Sequence, residues 1–118
     1  MINSNNILEL VVKAADSKRA EDIVALDVTQ VSLLADYFVV CHGNSDRQVM
    51  AIAEEVIDVA QKNQIQVKRV EGKESARWVL IDLGDVIIHV FYGEERDFYN
   101  LEKLWSDAPL VNISSMVD

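Results

Sequence analysis

Two aspartates and a histidine, Asp82, Asp85 and His89, interrupt the otherwise apolar stretch RWVLIDLGDVIIHVF that runs from Arg77 to Phe91. Carboxylates and an imidazole are the groups that metal-assisted phosphoryl transfer and acid–base catalysis use. Their spacing argues against both. A two-metal site needs carboxylates converging on ions roughly 3.5–4 Å apart, which Asp-x-Asp on one strand would supply. Asp82 and Asp85 instead lie on either side of Leu83-Gly84, one on a strand and one at a loop tip. Asp82 and His89 share a strand face and could pair, but two ligands do not hold a catalytic zinc. The other histidine, His42, ends a different strand beside Cys41. The order of elements suggests no Ser-His-Asp or Cys-His arrangement, although closeness of Cys41, His42 and His89 in space stays open. The expectation is a protein that is not an enzyme, with no catalytic residue, metal or cofactor.

What remains is a hairpin with two unlike faces. Gly84-Asp85 fits a two-residue type II′ turn, whose first position needs positive φ. Leu83 then faces Val86, Asp82 faces Ile87, Ile81 faces Ile88, Leu80 faces His89 and Trp78 faces Phe91. Side chains alternate along a strand. One face therefore carries Val79, Ile81, Leu83, Val86, Ile88 and Val90, all aliphatic, as a core requires. The other carries Trp78, Leu80, Asp82, Ile87, His89 and Phe91. Large rigid apolar groups with a few ionisable ones resemble a protein-binding patch more than a solvent face or a helix-covered face. Six such side chains would expose a few hundred Å², the size at which apolar surface signals a partner. The competing account is that the C-terminal helix or a second copy covers them.

The elements that must hold this hairpin are readable from periodicity. A helix is expected from near Ser4 to Lys18, with Ile7, Val11, Ala14 and Ala15 on one face and Ser4 as N-cap. Strands follow at Ile23–Val28 and in the run Tyr37–Cys41, whose unbroken apolar character implies cover on both faces. Cys41 reads as a small core residue. In GNSDRQ, Gly43 to Gln48, Ser45 and Gln48 have capping-box spacing, and the same turn could cradle a phosphate on free N–H groups. A second helix continues through Val49, Ile52, Ala53, Val56 and Ala60 to near Asn63. Gln66–Val70 reads as a short strand and Glu71–Ala76 as a polar loop. A last helical segment is expected over Glu95–Trp105, ended by Asp107-Ala108-Pro109. The domain is expected to span residues 1–109, with 110–118 a mobile tail.

Composition fits one globular domain: 118 residues, half of them hydrophobic and 26% charged. A single cysteine points to a reducing compartment, and neither a signal peptide nor a membrane span is readable, so a cytoplasmic location is expected. The net charge of −9, from 20 acidic against 11 basic residues, opposes binding to nucleic acid, which needs phosphates neutralised. At most a minor direct contact with RNA is expected.

The stretches ADYFVVCHGNSDRQVMAIAEEV, EGKESARWVLIDLGDVIIHVF and RDFYNLEKLWSDAP resemble the ribosomal silencing factor family, also called Iojap-like. They stand in the family's order and spacing, and with the first helix cover about Ile7 to Pro109. The resemblance implies an α/β fold: one small domain, a mixed sheet of about five strands flanked by helices, nucleotidyltransferase-like in outline but without that activity. It implies binding to the large ribosomal subunit through ribosomal protein L-fourteen, at the face where the small subunit docks. Joining would be blocked sterically and translation lowered when nutrients are scarce. It also implies a homodimer when free, and a link to large-subunit assembly. On this basis Trp78, Phe91 and Leu80 are the expected anchors. Asp82 and His89 would set the register, Ile87 would complete the patch, and Arg77, Tyr92 and Tyr99 would extend it, with Glu71 or Lys73 from the loop.

Overall fold

The computed structural model describes residues 3–30, 33, 35–93 and 108–117. Among these residues two helices and five strands follow in the order α1 (Ser4–Ser17), β1 (Glu21–Asp27), β2 (Tyr37–Gly43), α2 (Asp46–Lys62), β3 (Arg69–Glu71), β4 (Trp78–Asp82) and β5 (Val86–Tyr92). The strands form one sheet in the order β1-β2-β5-β4-β3. Among the described strands β2 and β5 pair in parallel, and β1–β2, β3–β4 and β4–β5 pair antiparallel. The sheet is therefore mixed, as the family resemblance implies.

Both helices lie on one face. The α1 stripe Ile7, Leu8, Val11, Val12, Ala14 and Ala15 and the α2 stripe Val49, Ile52, Ala53, Val56 and Ala60 recur at helical spacing. They pack on Val39, Cys41, Val79, Ile81, Leu83, Val86, Ile88 and Val90. The whole aliphatic face of the hairpin is in this core, and Cys41 has no exposed surface within it.

The N-cap of α1 is Asn3, one residue before the expected Ser4. Asn3 is extended, and its side chain accepts the Asn6 N–H at 2.9 Å, so Ser4 is already inside the first turn. Each helix ends in a Schellman arrangement without glycine. Ala20 N–H donates to Ala15 O at 3.1 Å and Arg19 N–H to Asp16 O at 2.9 Å, with Arg19 at φ 62°. Ile65 N–H donates to Ala60 O at 2.8 Å and Gln64 N–H to Gln61 O at 3.1 Å, with Gln64 at φ 61°. These bonds satisfy carbonyls that a helix end leaves open.

Two strands differ from the sequence expectation. The strand expected at Gln66–Val70 is Arg69–Glu71, because pairing must wait until the chain has turned at Gln64 and reached β4. There only Asp82, Ile81 and Leu80 oppose it. The strand expected at Ile23–Val28 starts at Glu21 and is irregular between Glu21 and Val24, where Asp22 has φ 49°. Beyond Ala108 the chain runs along the outer edge of β1: Asp27 N–H donates to Pro109 O and Val111 N–H to Ala25 O, both at 2.9 Å. Val111, Ile113, Met116 and Val117 then rest half-buried on the helix-side core. The helical segment expected at Glu95–Trp105 lies outside the described residues.

Gln64→Gly should stabilise the protein by about 0.5–1 kcal/mol, because glycine occupies positive φ without the Cβ clash. Urea unfolding checks this; a loss of stability would show that the Gln64 side chain matters more than its backbone angle.

Candidate functional site

The hairpin register is the one that the Gly84-Asp85 turn implies. Trp78 faces Phe91, Leu80 faces His89, Ile81 faces Ile88 and Asp82 faces Ile87. Leu83 N–H donates to Val86 O at 3.0 Å to close the two-residue loop, and Gly84 sits at φ +90°. Trp78, Leu80, Asp82, Ile87, His89 and Phe91 therefore share the sheet face away from α1 and α2.

That face has depth that alternation alone cannot show. The expectation was six side chains on an exposed patch. Phe91, His89 and Ile87 are instead 0, 5 and 7% exposed, so they form its floor, while Trp78, Leu80 and Asp82 are half-buried. β5 runs between β4 and β2 in the sheet, and on this face Ile87 packs with Phe38 and Leu80, and Phe91 with Val40 and Trp78. The β2 residues Phe38 and Val40 contribute to this face: Phe38 clusters with Leu26, Val28, Ala35, Ile87 and Ala108, and Val40 with Phe91 and Trp78. Sequence reasoning missed them, although Phe38, Val40 and His42 alternate with Val39 and Cys41 in a run already marked as covered on both faces.

The floor is aromatic. Trp78 stacks on Phe91 with centroids 5.2 Å apart and planes at 27°. Phe38 meets the His89 ring edge-on, with centroids 5.3 Å apart at 68°. Trp78 Nε1–H donates to His89 Nδ1 at 3.1 Å. At the rim, the Arg77 guanidinium lies over the Tyr92 ring, 5.1 Å from its centroid, a cation–π arrangement. Beneath Trp78 the loop backbone comes close. A Cβ on Gly72, which has φ +88°, would fall 2.0 Å from Trp78 O, so only glycine fits. Tyr99 lies outside the described residues.

The ionisable groups are used separately. Asp82 Oδ1 accepts the Gly84 N–H at 2.8 Å and so supports the turn; it makes no bond with His89 among the described residues. Asp85 contributes its backbone, its carbonyl accepting the Asp36 and Tyr37 N–H groups at 2.8 and 3.1 Å. His42 contacts Glu21 at 3.2 Å, and Cys41 lies in the core on the other side of the sheet, so Cys41, His42 and His89 do not converge. Among the described residues no three His, Cys, Asp or Glu side chains are grouped as metal ligands would be. At the α2 N-terminus, Ser45 Oγ accepts the Gln48 N–H at 3.1 Å and Gln48 Oε1 accepts the Asn44 N–H at 2.8 Å. Gln48 Nε2–H also donates to Arg19 O at 2.9 Å. The Gly43–Gln48 turn thus caps α2 and fastens it to the end of α1, and these two N–H groups already have acceptors.

A mixed five-stranded sheet with both described helices on one face and a layered aromatic cluster on the other defines the class: a small α/β domain with two chemically distinct sheet faces. The profile of the family described as "Ribosomal silencing factor during starvation" matches residues 1–118. The chain is 60% identical over 112 residues, 95% of either chain, to the ribosomal silencing factor RsfS of Bacillus subtilis. A solved structure from Bacillus halodurans superposes with a TM-score of 0.83 at 56% identity, covering 92% of this chain and 98% of that one. A more distant relative is the mouse protein named "Mitochondrial assembly of ribosomal large subunit protein 1". It is 28% identical over 102 residues, which are 84% of this chain and 45% of that protein. The chain belongs to the ribosomal silencing factor family.

Burial lowers the pKa of His89 from its ordinary 6.5 to about 4, because a charged imidazole cannot be solvated there. The folded protein thus binds fewer protons than the unfolded chain between these values. The contribution of His89 to stability is complete above pH 6.5 and is lost as pH falls toward 4. Between pH 7.5 and 5 the wild type should lose about 2 kcal/mol more than His89→Leu in urea unfolding. Parallel losses in the two proteins would contradict this assignment.

Proposed function

We propose that this protein binds the large ribosomal subunit through ribosomal protein L-fourteen, on the surface where the small subunit docks. Its bulk there blocks subunit joining and lowers translation when nutrients are limiting. The observation that carries the reading is the layered face: Trp78, Leu80 and Asp82 are partly open to a partner, held by an aromatic floor and rimmed by Arg77 and Tyr92. Family membership along the whole chain supports it. A stable protein contact removes about 800 Å² from each partner, so the three open side chains must be joined by their neighbours. Arg77, Tyr92, Tyr99, and Glu71 or Lys73 are the candidates. His89, Phe91 and Ile87 act from beneath, by holding the outer layer in shape.

Charge fits this mode of binding. A chain of net charge −9 is repelled by ribosomal RNA and drawn to a basic ribosomal protein, which favours docking on protein over nucleic acid. Direct RNA contact is minor, the site of action is the cytoplasm, no cofactor or catalytic step is involved, and the free protein is a homodimer. A second reading, an adaptor that acts during large-subunit maturation, draws support from the name of the mouse relative.

Trp78→Ala should weaken co-sedimentation with isolated large subunits by about 2 kcal/mol or more, the loss typical of a central aromatic anchor. Undiminished co-sedimentation of a folded Trp78→Ala protein would remove Trp78 from the contact. An enzymatic relative of the nucleotidyltransferases would instead bind nucleoside triphosphate with Mg²⁺ in calorimetry, where no heat of binding is expected.

A further inference from the structure

His89 occupies a place where an aliphatic or aromatic side chain would leave no polar atom to satisfy. Its Nε2 is buried and has no hydrogen-bond partner among the described residues, a condition that costs stability. Its other nitrogen, Nδ1, makes one bond, and that bond is to the half-buried Trp78. An indole N–H only donates. Nδ1 must therefore be the unprotonated nitrogen, and the ring proton of neutral His89 sits on the orphaned Nε2.

Stacking on Phe91 sets the plane of the indole but leaves open which edge of the ring turns toward the sheet. A directional N–H bond removes that freedom. It also uses the polar atom of the indole inside the protein, so the surface that Trp78 offers outward is apolar. We propose that His89 is a positioning residue: through Nδ1 it holds Trp78 in the one orientation that meets the partner, and the surface receiving Trp78 is an apolar pocket without a hydrogen-bond acceptor for the indole. This rests on the docking role of the face given above. His89 itself need not touch the partner.

The test combines binding with a spectrum of the free protein. In ¹⁵N-labelled wild type, the imidazole nitrogen shifts should report the Nε2–H tautomer; an Nδ1–H tautomer overturns the proposal without any variant being made. His89→Leu removes the acceptor together with the orphaned N–H. It should stay folded, shift the Trp78 indole N–H resonance and bind large subunits about tenfold more weakly, as expected when an anchor side chain must be ordered on binding. His89→Asn keeps an acceptor near the Nδ1 position and should retain most of the wild-type indole shift and affinity. Binding by His89→Leu equal to wild type, or by His89→Asn as weak as His89→Leu, overturns the positioning role. Failure of the wild type to bind large subunits would sink the docking reading instead, while the tautomer and indole results would still decide whether His89 orients Trp78.

Discussion

The register of one two-residue turn decides everything on the functional side of this molecule. Gly84 takes a backbone angle that other residues resist, Asp82 accepts its N–H, and Leu83 then meets Val86. A slip of one residue would exchange the two faces of a strand. Trp78, Leu80 and Asp82 would enter the helix-side core, and Val79 and Ile81 would be turned outward. The core would then hold a carboxylate without a partner, a state that costs several kcal/mol. The aliphatic face therefore fixes the register from one side, and the turn fixes it from the end.

The position of β5 adds the second constraint. Its parallel partner β2 and antiparallel partner β4 enclose it, so the same register that aligns Trp78 with Phe91 also brings Phe38 and Val40 alongside Ile87 and His89. A layered face results, in which half-buried groups from β4 stand on a floor from β5 and β2. If this face docks a partner as proposed, side chains already packed in this way lower the ordering cost of association. The described helices lie on the other face, joined through Gln48 Nε2–H and the Arg19 carbonyl just past the end of α1.

Much of this was legible in the residues themselves. The Gly84-Asp85 turn, the alternation around it, the helical stripes and the Ser45–Gln48 cap are local signals with fixed spacing, and each appears in the fold. The family resemblance supplied the mixed sheet. What was not legible is non-local. No pattern within Tyr37–Cys41 says that this strand will lie parallel to Val86–Phe91, so neither the contribution of Phe38 and Val40 nor the burial of Phe91 could be read from alternation. Asp82 and His89 looked like a pair because they share a face, yet each found a different partner, a neighbouring amide for one and an indole for the other. The helices end where expected, with C-caps at Lys18 and Asn63, but the left-handed turns that follow at Arg19 and Gln64 were not legible because glycine, their usual sign, is absent from both.

The central claim is that an ordered sheet face, built around Trp78, occupies ribosomal surface that the small subunit would otherwise take. Order of addition tests this most directly: purified protein is mixed with large subunits either before or after small subunits, and joined ribosomes are measured by light scattering or gradient sedimentation. The account predicts that joining is inhibited only when the protein is added first. Equal inhibition in both orders, or none in either, would contradict it.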